Sequence, residues 1–152
     1  MTHSNHTYKI SVDSFWRFSC DLYSKNELYI KDQKQYSLLE LQNKFNKNVN
    51  ICLLMLYLDE LNISIDQAVL KQLISSILDF ESSYLLPLRT LRLKLKQQEA
   101  DISLYAKMRK TLLDAELLME KHQQSQLVNA LNNCELVSIT NTSNLYLYLH
   151  CD

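Results

Sequence analysis

The chain contains no glycine and a single proline, Pro87, among its 152 residues. Glycine supplies the positive φ angles of tight β-hairpins and of the loops that hold phosphates. Its absence argues against a fold rich in β-sheet and excludes the P-loop and the dinucleotide-binding fingerprint. Asparagine also tolerates the left-handed conformation, so we expect the many asparagines to take over the task of ending helices.

Charge, cysteine spacing and hydropathy exclude further classes of protein. The net charge of −1 gives no reason to expect nucleic acid or an anionic membrane as a partner. The four cysteines lie far apart without a C-x-x-C pair, which indicates reduced thiols rather than a disulfide framework. The first residues lack an apolar signal core, and no segment is long enough to span a membrane. We therefore expect a cytoplasmic protein.

What the sequence has instead is leucine, at thirty positions, and one stretch that is apolar on every side. From Ile51 to Leu58 the only polar side-chain group is the hydroxyl of Tyr57. A helix that is apolar all round must be enclosed by other helices. The stretch is too short to cross a bilayer. It therefore predicts a central, buried helix over about 49–61.

Hydrophobic periodicity predicts further helices on both sides of this one. The predicted helices run from Asp13 to about Ser24, from Asp32 to about Asn46, from the cap Asn48 to Asn62, over 65–81 after the cap Ser64, over 82–96, from about Asp101 to Asn132, and over the last residues after Thr142 or Ser143. Leu145–Leu149 also alternates like a strand, so residues 143–150 could form a strand instead. Pro87 is tolerated in a first turn, so the fifth helix starts near Leu86 or is kinked there. Residues 25–31 are predicted to form a loop, and a polar interval at Glu120–Gln126 could interrupt the sixth helix.

The predicted fold is thus all-α, a compact bundle of six or seven helices. We expect residues 13–152 to form a single domain and residues 1–12 to be a flexible N-terminus.

Three cations on the fifth helix attract attention because of their surroundings. Arg89, Arg92 and Lys96 fall within an arc of about 60° around the helix axis, and leucines flank this arc on both sides. An enclosed arginine needs a carboxylate, a phosphate or carbonyl groups as its partner. One interpretation is a structural ion pair in which Arg89 or Arg92 binds Glu116 on the sixth helix and fixes how the two helices cross.

A second interpretation is a solvated face, and a third is a ligand site. Arg89, Arg92 and Lys96 would bind a small, partly apolar anion, and the ligand-binding hypothesis also includes Trp16, from an aromatic set on the first helix, and the buried amide Asn50. Charge would then orient a phosphate or carboxylate while a pocket holds the apolar body.

No arrangement of residues predicts catalysis, a metal site or a cofactor. A di-iron site in a helical bundle needs Glu-x-x-His on two helices, and the chain has none. Cys52 lies in the apolar helix, where a thiol stays protonated. Serine cannot form a glycine-flanked nucleophile elbow here.

Two hypotheses of function remain. The first is a non-enzymatic interaction or regulatory module whose exposed apolar, tyrosine-rich surface meets a protein partner or a second copy of the chain. The second is a small-molecule binding protein, or an enzyme, that uses the cations of the fifth helix.

Several segments resemble a known family when taken in order: F-W-R-F-S-x-x-L-Y (15–23), L-L-E-L-Q (38–42), N-V-N-I-C-L-L-M-L-Y-L (48–58), P-L-R-T-L-R-x-x-L-K (87–96) and L-Y-A-K-M-R-K-x-L-L-D-A-E (104–116). They are similar to a family of small gammaproteobacterial proteins known only as a conserved domain of unknown function. The resemblance implies a bacterial, cytoplasmic, all-helical protein and transfers no activity. Its motif positions include Trp16, Asn50, Arg89, Arg92 and Glu116.

Overall fold

The computed structural model describes residues 8–25, 28–29, 35–139 and 143–151. In chain order the elements are α1 (Val12–Lys25), β1 (Leu28–Tyr29), β2 (Gln35–Tyr36), α2 (Leu38–Asn43), α3 (Val49–Glu60), β3 (Ile63–Ser64), α4 (Gln67–Phe80), a π-helical turn (Glu81–Leu85), α5 (Leu86–Gln97), a 3-10 turn (Glu99–Asp101), α6 (Tyr105–Asn132), β4 (Val137–Ser138) and α7 (Asn144–Leu149). The seven α-helices of the described residues confirm the predicted all-α class.

Helix α3 forms the centre of the molecule, as its uniformly apolar sequence predicts. Its buried residues are Val49, Asn50, Ile51, Cys52, Leu53, Leu54, Met55 and Leu58. Helices α1, α2, α6 and α7 all pack against it. The side chain of Asn48 accepts the N–H of Ile51 at 3.0 Å and caps the helix. Asn62 follows its end with φ at 55°, which confirms that asparagine replaces glycine in this role.

The C-terminal residues form the short helix α7 that the capping signal predicts. Ser143 caps it by accepting the N–H of Tyr146 at 3.2 Å. The carboxylate of Asp59, at the end of α3, accepts the N–H groups of Asn144 and Leu145 at 2.6 and 3.3 Å. The start of α7 is thereby fixed to the end of α3.

Helix α4, the π turn and α5 form one uninterrupted helical rod from Gln67 to Gln97. Helix α5 is counted from Leu86, which is one of the two predicted outcomes, and the rod passes through Pro87 directly after the π turn. Within the π turn the N–H of Leu86 bonds to the carbonyl of Glu81. Helix α6 runs antiparallel to the whole rod and packs against both α4 and α5.

Two predicted starts near the N-terminus are wrong. Ser11, and not Asp13, accepts the N–H of Ser14 at 3.3 Å and begins α1, so Asp13 lies inside the first turn. The second helix starts only at Leu38, after the cap Ser37. The predicted cap Asp32 lies outside the described residues.

Two later starts are also wrong. Ser64 does not cap α4, because residues Ile63–Ser64 pair antiparallel with Val137–Ser138. The cap is Asp66, whose carboxylate accepts the N–H of Val69 at 2.9 Å. The sixth helix begins at Tyr105 rather than Asp101, which ends the short 3-10 turn.

Two further expectations need correction. Leu28–Tyr29 is not a loop but pairs antiparallel with Gln35–Tyr36. The polar interval Glu120–Gln126 does not interrupt α6, and Gln123 and Gln124 within it bond to buried polar side chains. Within the segment 1–12, Ile10 is buried, and its backbone N–H and carbonyl bond to Asn132 at 2.8 and 3.1 Å. Residues 1–7 lie outside the described residues, and the single domain stays a prediction.

None of the helices in the described ranges is both long and apolar enough to cross a membrane.

Candidate functional site

An ionic cluster joins α5 to α6 and to the π turn. Arg89 lies among three carboxylates: its Nη1 is 2.8 Å from Glu81 Oε1, its Nε 3.3 Å from Glu116 Oε1 and its Nη2 3.2 Å from Glu120 Oε1. The Nε of Arg92 donates to Glu116 Oε2 at 2.8 Å. We call these five residues the arginine–glutamate cluster.

The cluster is largely removed from water, which makes pairing necessary. The side chain of Glu116 is 10% exposed and that of Arg89 is 14% exposed. A lone charge at such a position is strongly unfavourable, whereas a charge with several hydrogen-bonded partners is tolerated. The two guanidinium groups therefore act first as partners for carboxylates.

Three carboxylates share two guanidinium groups, so the fully ionised cluster carries one negative charge in excess. Burial raises the pKa of Glu120, although the nearby Arg89 acts in the opposite direction. Burial favours the neutral form of Arg89, but Glu81 and Glu120 outweigh it and raise the pKa of the guanidinium. The neighbouring carboxylates of Glu116 and Glu81 act in the same direction as burial and raise the pKa of Glu120 further.

A chain of buried amides extends the cluster into the core. Glu81 Oε2 accepts hydrogen bonds from Gln123 at 2.8 Å and from Asn48 at 3.3 Å. The amide of Asn50 donates to Gln123 Oε1 at 2.8 Å and accepts from Gln124 at 3.1 Å. Each of these amides has at least one polar partner, while Oε1 of Gln124 has no hydrogen bond to any described residue.

The π turn explains how Glu81 reaches Arg89. An ordinary helix turns about 100° per residue, so eight residues would leave the two side chains about 80° apart around the axis. The extra residue of a π turn removes about 100° of this rotation and brings them to within about 20°. The sequence does not predict Glu81 as a partner of Arg89, because no residue pattern indicates a π turn.

The structure brings together only some of the sequence-predicted residues. Arg89, Arg92 and Glu116 meet in the cluster, and Asn50 reaches it through Gln123. Lys96 lies exposed in the last turn of α5.

Trp16 is half-buried on α1, where the ammonium of Lys121 lies 5.6 Å from its ring centroid. Helical spacing marked the two arginines and Glu116. The partners Glu81 and Glu120 come from two different elements, which spacing alone does not relate.

Beyond the cluster, α5 and the first half of α6 form a nearly uncovered pair of helices. We call residues 86–118 the distal hairpin. Within it only Tyr105 and Glu116 are buried. Its exposed large apolar side chains are Leu86, Leu91, Leu93, Leu104, Met108, Leu117 and Leu118. A groove of about 320 Å³ lies between the two helices, lined by Leu95, Leu104, Lys107, Met108, Thr111 and Leu112.

A second concavity of about 330 Å³ lies on the other side of the cluster, beside Glu81 and Arg89. It is bordered by the residues that precede α3, by α4 and by Tyr148 of α7. The arginine–glutamate cluster thus separates an apolar groove from a cavity of mixed polarity.

Other reactive groups have no arrangement that indicates chemistry. Burial raises the pKa of the Cys52 thiol to about 12, so it stays protonated at neutral pH. In the described part of the chain, no three side chains among His, Cys, Asp and Glu lie close enough to hold a metal ion. The cysteines form no disulfide there.

A family of proteins of unknown function, DUF2390, matches residues 14–127, which is most of the chain. The chain belongs to this family. No curated protein and no solved structure matches it. The DUF2390 region begins in α1 and extends to Leu127 of α6, so it contains the whole arginine–glutamate cluster and the whole distal hairpin. DUF2390 carries no assigned activity.

Proposed function

We propose that this DUF2390 chain is a non-enzymatic interaction module that binds a protein partner through its distal hairpin. One observation carries the proposal: the hairpin buries only Tyr105 and Glu116 among its 33 residues. Two helices that cover so little of their own apolar surface are stabilised when another protein covers it.

The apolar side chains of the hairpin are concentrated rather than scattered. Seven of the fifteen exposed large apolar side chains of the described residues lie in it. Single exposed leucines are normal on a protein surface, but their concentration in one pair of helices favours an interaction site. The groove between α5 and α6 gives this surface the shape that an amphipathic helix can enter.

Charge indicates the chemistry of the partner. Residues 86–118 carry seven basic and four acidic side chains, whereas the rest of the chain carries nine basic and thirteen acidic ones. Lys94, Lys96, Lys107 and Arg109 lie exposed among the hairpin leucines. The surface therefore fits an amphipathic helix with leucine-like residues on one face and acidic residues beside them. Two hairpins placed face to face would bring like charges together, which favours a different protein over a second copy.

The use of Arg89, Arg92 and Lys96 as one anion clamp has less support. Both arginines already bind carboxylates, and a clamp would have to separate them from Glu116. Removing one partner from a buried pair costs about 3–5 kcal/mol. We interpret these arginines as scaffold that holds α5 against α6 and so shapes the hairpin.

We also propose a cytoplasmic location in a gammaproteobacterial cell. The motif resemblance supports the bacterial source. The lack of a disulfide among the cysteines of the described residues fits a reducing compartment.

Site-specific photo-crosslinking in the native host tests the proposal. A photoreactive amino acid replaces Leu104 in the hairpin, or Leu39 on α2 as a matched control of similar exposure, 59% against 65%. We expect one discrete protein adduct from position 104 that is absent from position 39 and is lost when Met108→Asp is added. Equal adducts from both positions would contradict the proposal. An adduct of twice the mass of the 17.9 kDa chain would show that the partner is a second copy of the chain.

A further inference from the structure

The cavity beside Glu81 and Arg89 has two chemically different ends. Ile74, Ile77, Leu78 and Leu86 provide an apolar wall from the α4–α5 rod. The polar end contains Lys47, Asn48 and Tyr148 as well as the two members of the arginine–glutamate cluster. A concave site that combines an apolar wall with convergent polar groups is typical of a small-molecule site.

Lys47 supplies a cation at this polar end. Its ammonium donates to the carbonyl oxygen of Cys151 at 2.8 Å and lies 4.9 Å from the ring centroid of Tyr148. An ammonium has three N–H donors, so two remain beyond the bond to Cys151. Among the described residues no carboxylate lies within ion-pair distance of Lys47.

The hydroxyl of Tyr148 supplies a donor next to this cation. Its oxygen accepts the backbone N–H of Asn48 at 2.9 Å, which leaves the hydroxyl proton for a group in the cavity. Burial raises the pKa of Tyr148, so the proton is present at neutral pH. The cavity also borders the first turn of α3, whose aligned peptide dipoles favour negative charge.

The carboxylate of Glu81 does not cancel this positive end. Both of its oxygens are engaged, Oε1 by Arg89 at 2.8 Å and Oε2 by Gln123 at 2.8 Å and Asn48 at 3.3 Å. Arg89 compensates this charge directly, although the carboxylate still contributes to the raised pKa of Tyr148. Lys47 has no such carboxylate partner among the described residues, so it is the cation that a ligand can meet.

We propose that this cavity binds a small aliphatic monocarboxylate, with the carboxylate at Lys47 and Tyr148 and the chain along Ile77, Leu78 and Leu86. A cavity of about 150 Å³ holds one benzene molecule. The 330 Å³ here therefore accommodates about a dozen non-hydrogen atoms, which is the size of a medium-chain fatty acid. This site is separate from the groove of the distal hairpin and does not depend on the proposed partner.

Binding of octanoate to the full chain tests this inference by NMR titration. We expect saturable shifts confined to residues around the cavity, with a dissociation constant of about 1 mM or tighter. Octylammonium of the same length is the matched probe, because Lys47 repels its charge, and it should bind at least about tenfold more weakly. Acetate, which lacks the chain, should give no saturable shift.

Two variants locate the ligand at this cavity. Lys47→Met removes the cation and should weaken octanoate about tenfold or more. Leu78→Trp fills the cavity from a side chain that is 63% exposed, so it leaves the core intact and should abolish binding. Leu39→Trp, at a similarly exposed position away from the cavity, is the control that should bind as the natural chain does.

Three results would overturn the inference. They are the absence of saturable octanoate binding up to about 10 mM, equal binding of octylammonium, and octanoate binding that survives Leu78→Trp unchanged.

Discussion

The carboxylate of Glu116 depends on two guanidinium groups for the compensation of its charge. It lies 2.8 Å from Arg92 Nε and 3.3 Å from Arg89 Nε, and its side chain is only 10% exposed. Removing one member of such a pair lowers stability by more than the intact pair contributes, because the other charge is left buried without a partner. This asymmetry leads to a direct test of the scaffold interpretation.

We predict that Arg92→Ala lowers the free energy of unfolding by about 3 kcal/mol. This is the lower end of the range for a broken buried pair, because Arg89 keeps its contact with Glu116. Urea denaturation measures the change, and Lys96→Ala, at an exposed position of the same helix, should change stability by less than about 0.5 kcal/mol. The double variant Arg92→Leu/Glu116→Leu should recover most of the loss. Equal, small losses for Arg92→Ala and Lys96→Ala would show that Arg92 does not support Glu116.

Glu120 should give the cluster a characteristic dependence of stability on pH. Burial raises its pKa in the folded protein above the usual value of 4.5, against the influence of Arg89. The folded state then holds more protons than the unfolded state just above pH 4.5. The contribution of Glu120 to stability is therefore fully present below that pH and decreases as the pH rises through the folded-state pKa.

We predict that Glu120→Gln gains stability relative to the natural chain as the pH rises from about 4.5 to 7. The glutamine keeps an oxygen for Arg89 but carries no charge beside Glu81 and Glu116. Unfolding free energies measured across this range test the prediction, with Glu60→Gln at an exposed position as control. A stability difference that stays constant, or that falls with rising pH, would contradict the assignment of a raised pKa to Glu120.

At the scale of the elements, the sequence predicts helices well where local signals and burial agree. Helix α3 combines a continuous apolar run with the cap Asn48, and α7 follows the cap Ser143, so both were found. The start of α4 was misplaced because Ser64 is a good cap by type, yet its backbone pairs with Val137. That pairing joins residues more than seventy positions apart, and no local signal contains it.

The π turn shows the same limit for the candidate site. Arg89, Arg92 and Glu116 could be marked from helical spacing, because each lies in a regular helix. The geometry that adds Glu81 depends on one extra residue within the turn Glu81–Leu85. Ordinary spacing rotates that carboxylate away from Arg89, so sequence reasoning could not include it.

Asn62 offers a test of how a chain without glycine ends its helices. We predict that Asn62→Ala lowers stability by about 1–2 kcal/mol, because alanine at a φ of 55° brings its Cβ too close to the following carbonyl oxygen. Asn62→Gly should leave the stability nearly unchanged, because glycine has no Cβ. Thermal denaturation compares the two at an exposed side chain. Equal effects of alanine and glycine would show that the backbone angle is not what selects asparagine there.

At the scale of the whole molecule, the rod Gln67–Gln97 and helix α6 belong to two environments. The parts of these helices that lie near α3 belong to the core, where Leu73, Ile77 and Leu127 are buried. The parts that lie farther from α3 form the distal hairpin, where leucines such as Leu93 are exposed. The composition predicts a helical bundle, and thirty leucines suggest more apolar surface than one core needs. Which leucines remain uncovered depends on tertiary packing and becomes visible only in the structure.

The most direct test of the interaction account is the affinity of the purified crosslinked partner for three forms of the chain. We predict that Met108→Asp weakens binding by about tenfold or more, because it places a charge in the apolar groove and opposes an acidic partner. Leu39→Asp, which adds the same charge on α2, should leave the dissociation constant within about twofold of the natural chain. An equal dissociation constant for all three forms would show that the distal hairpin is not the binding surface.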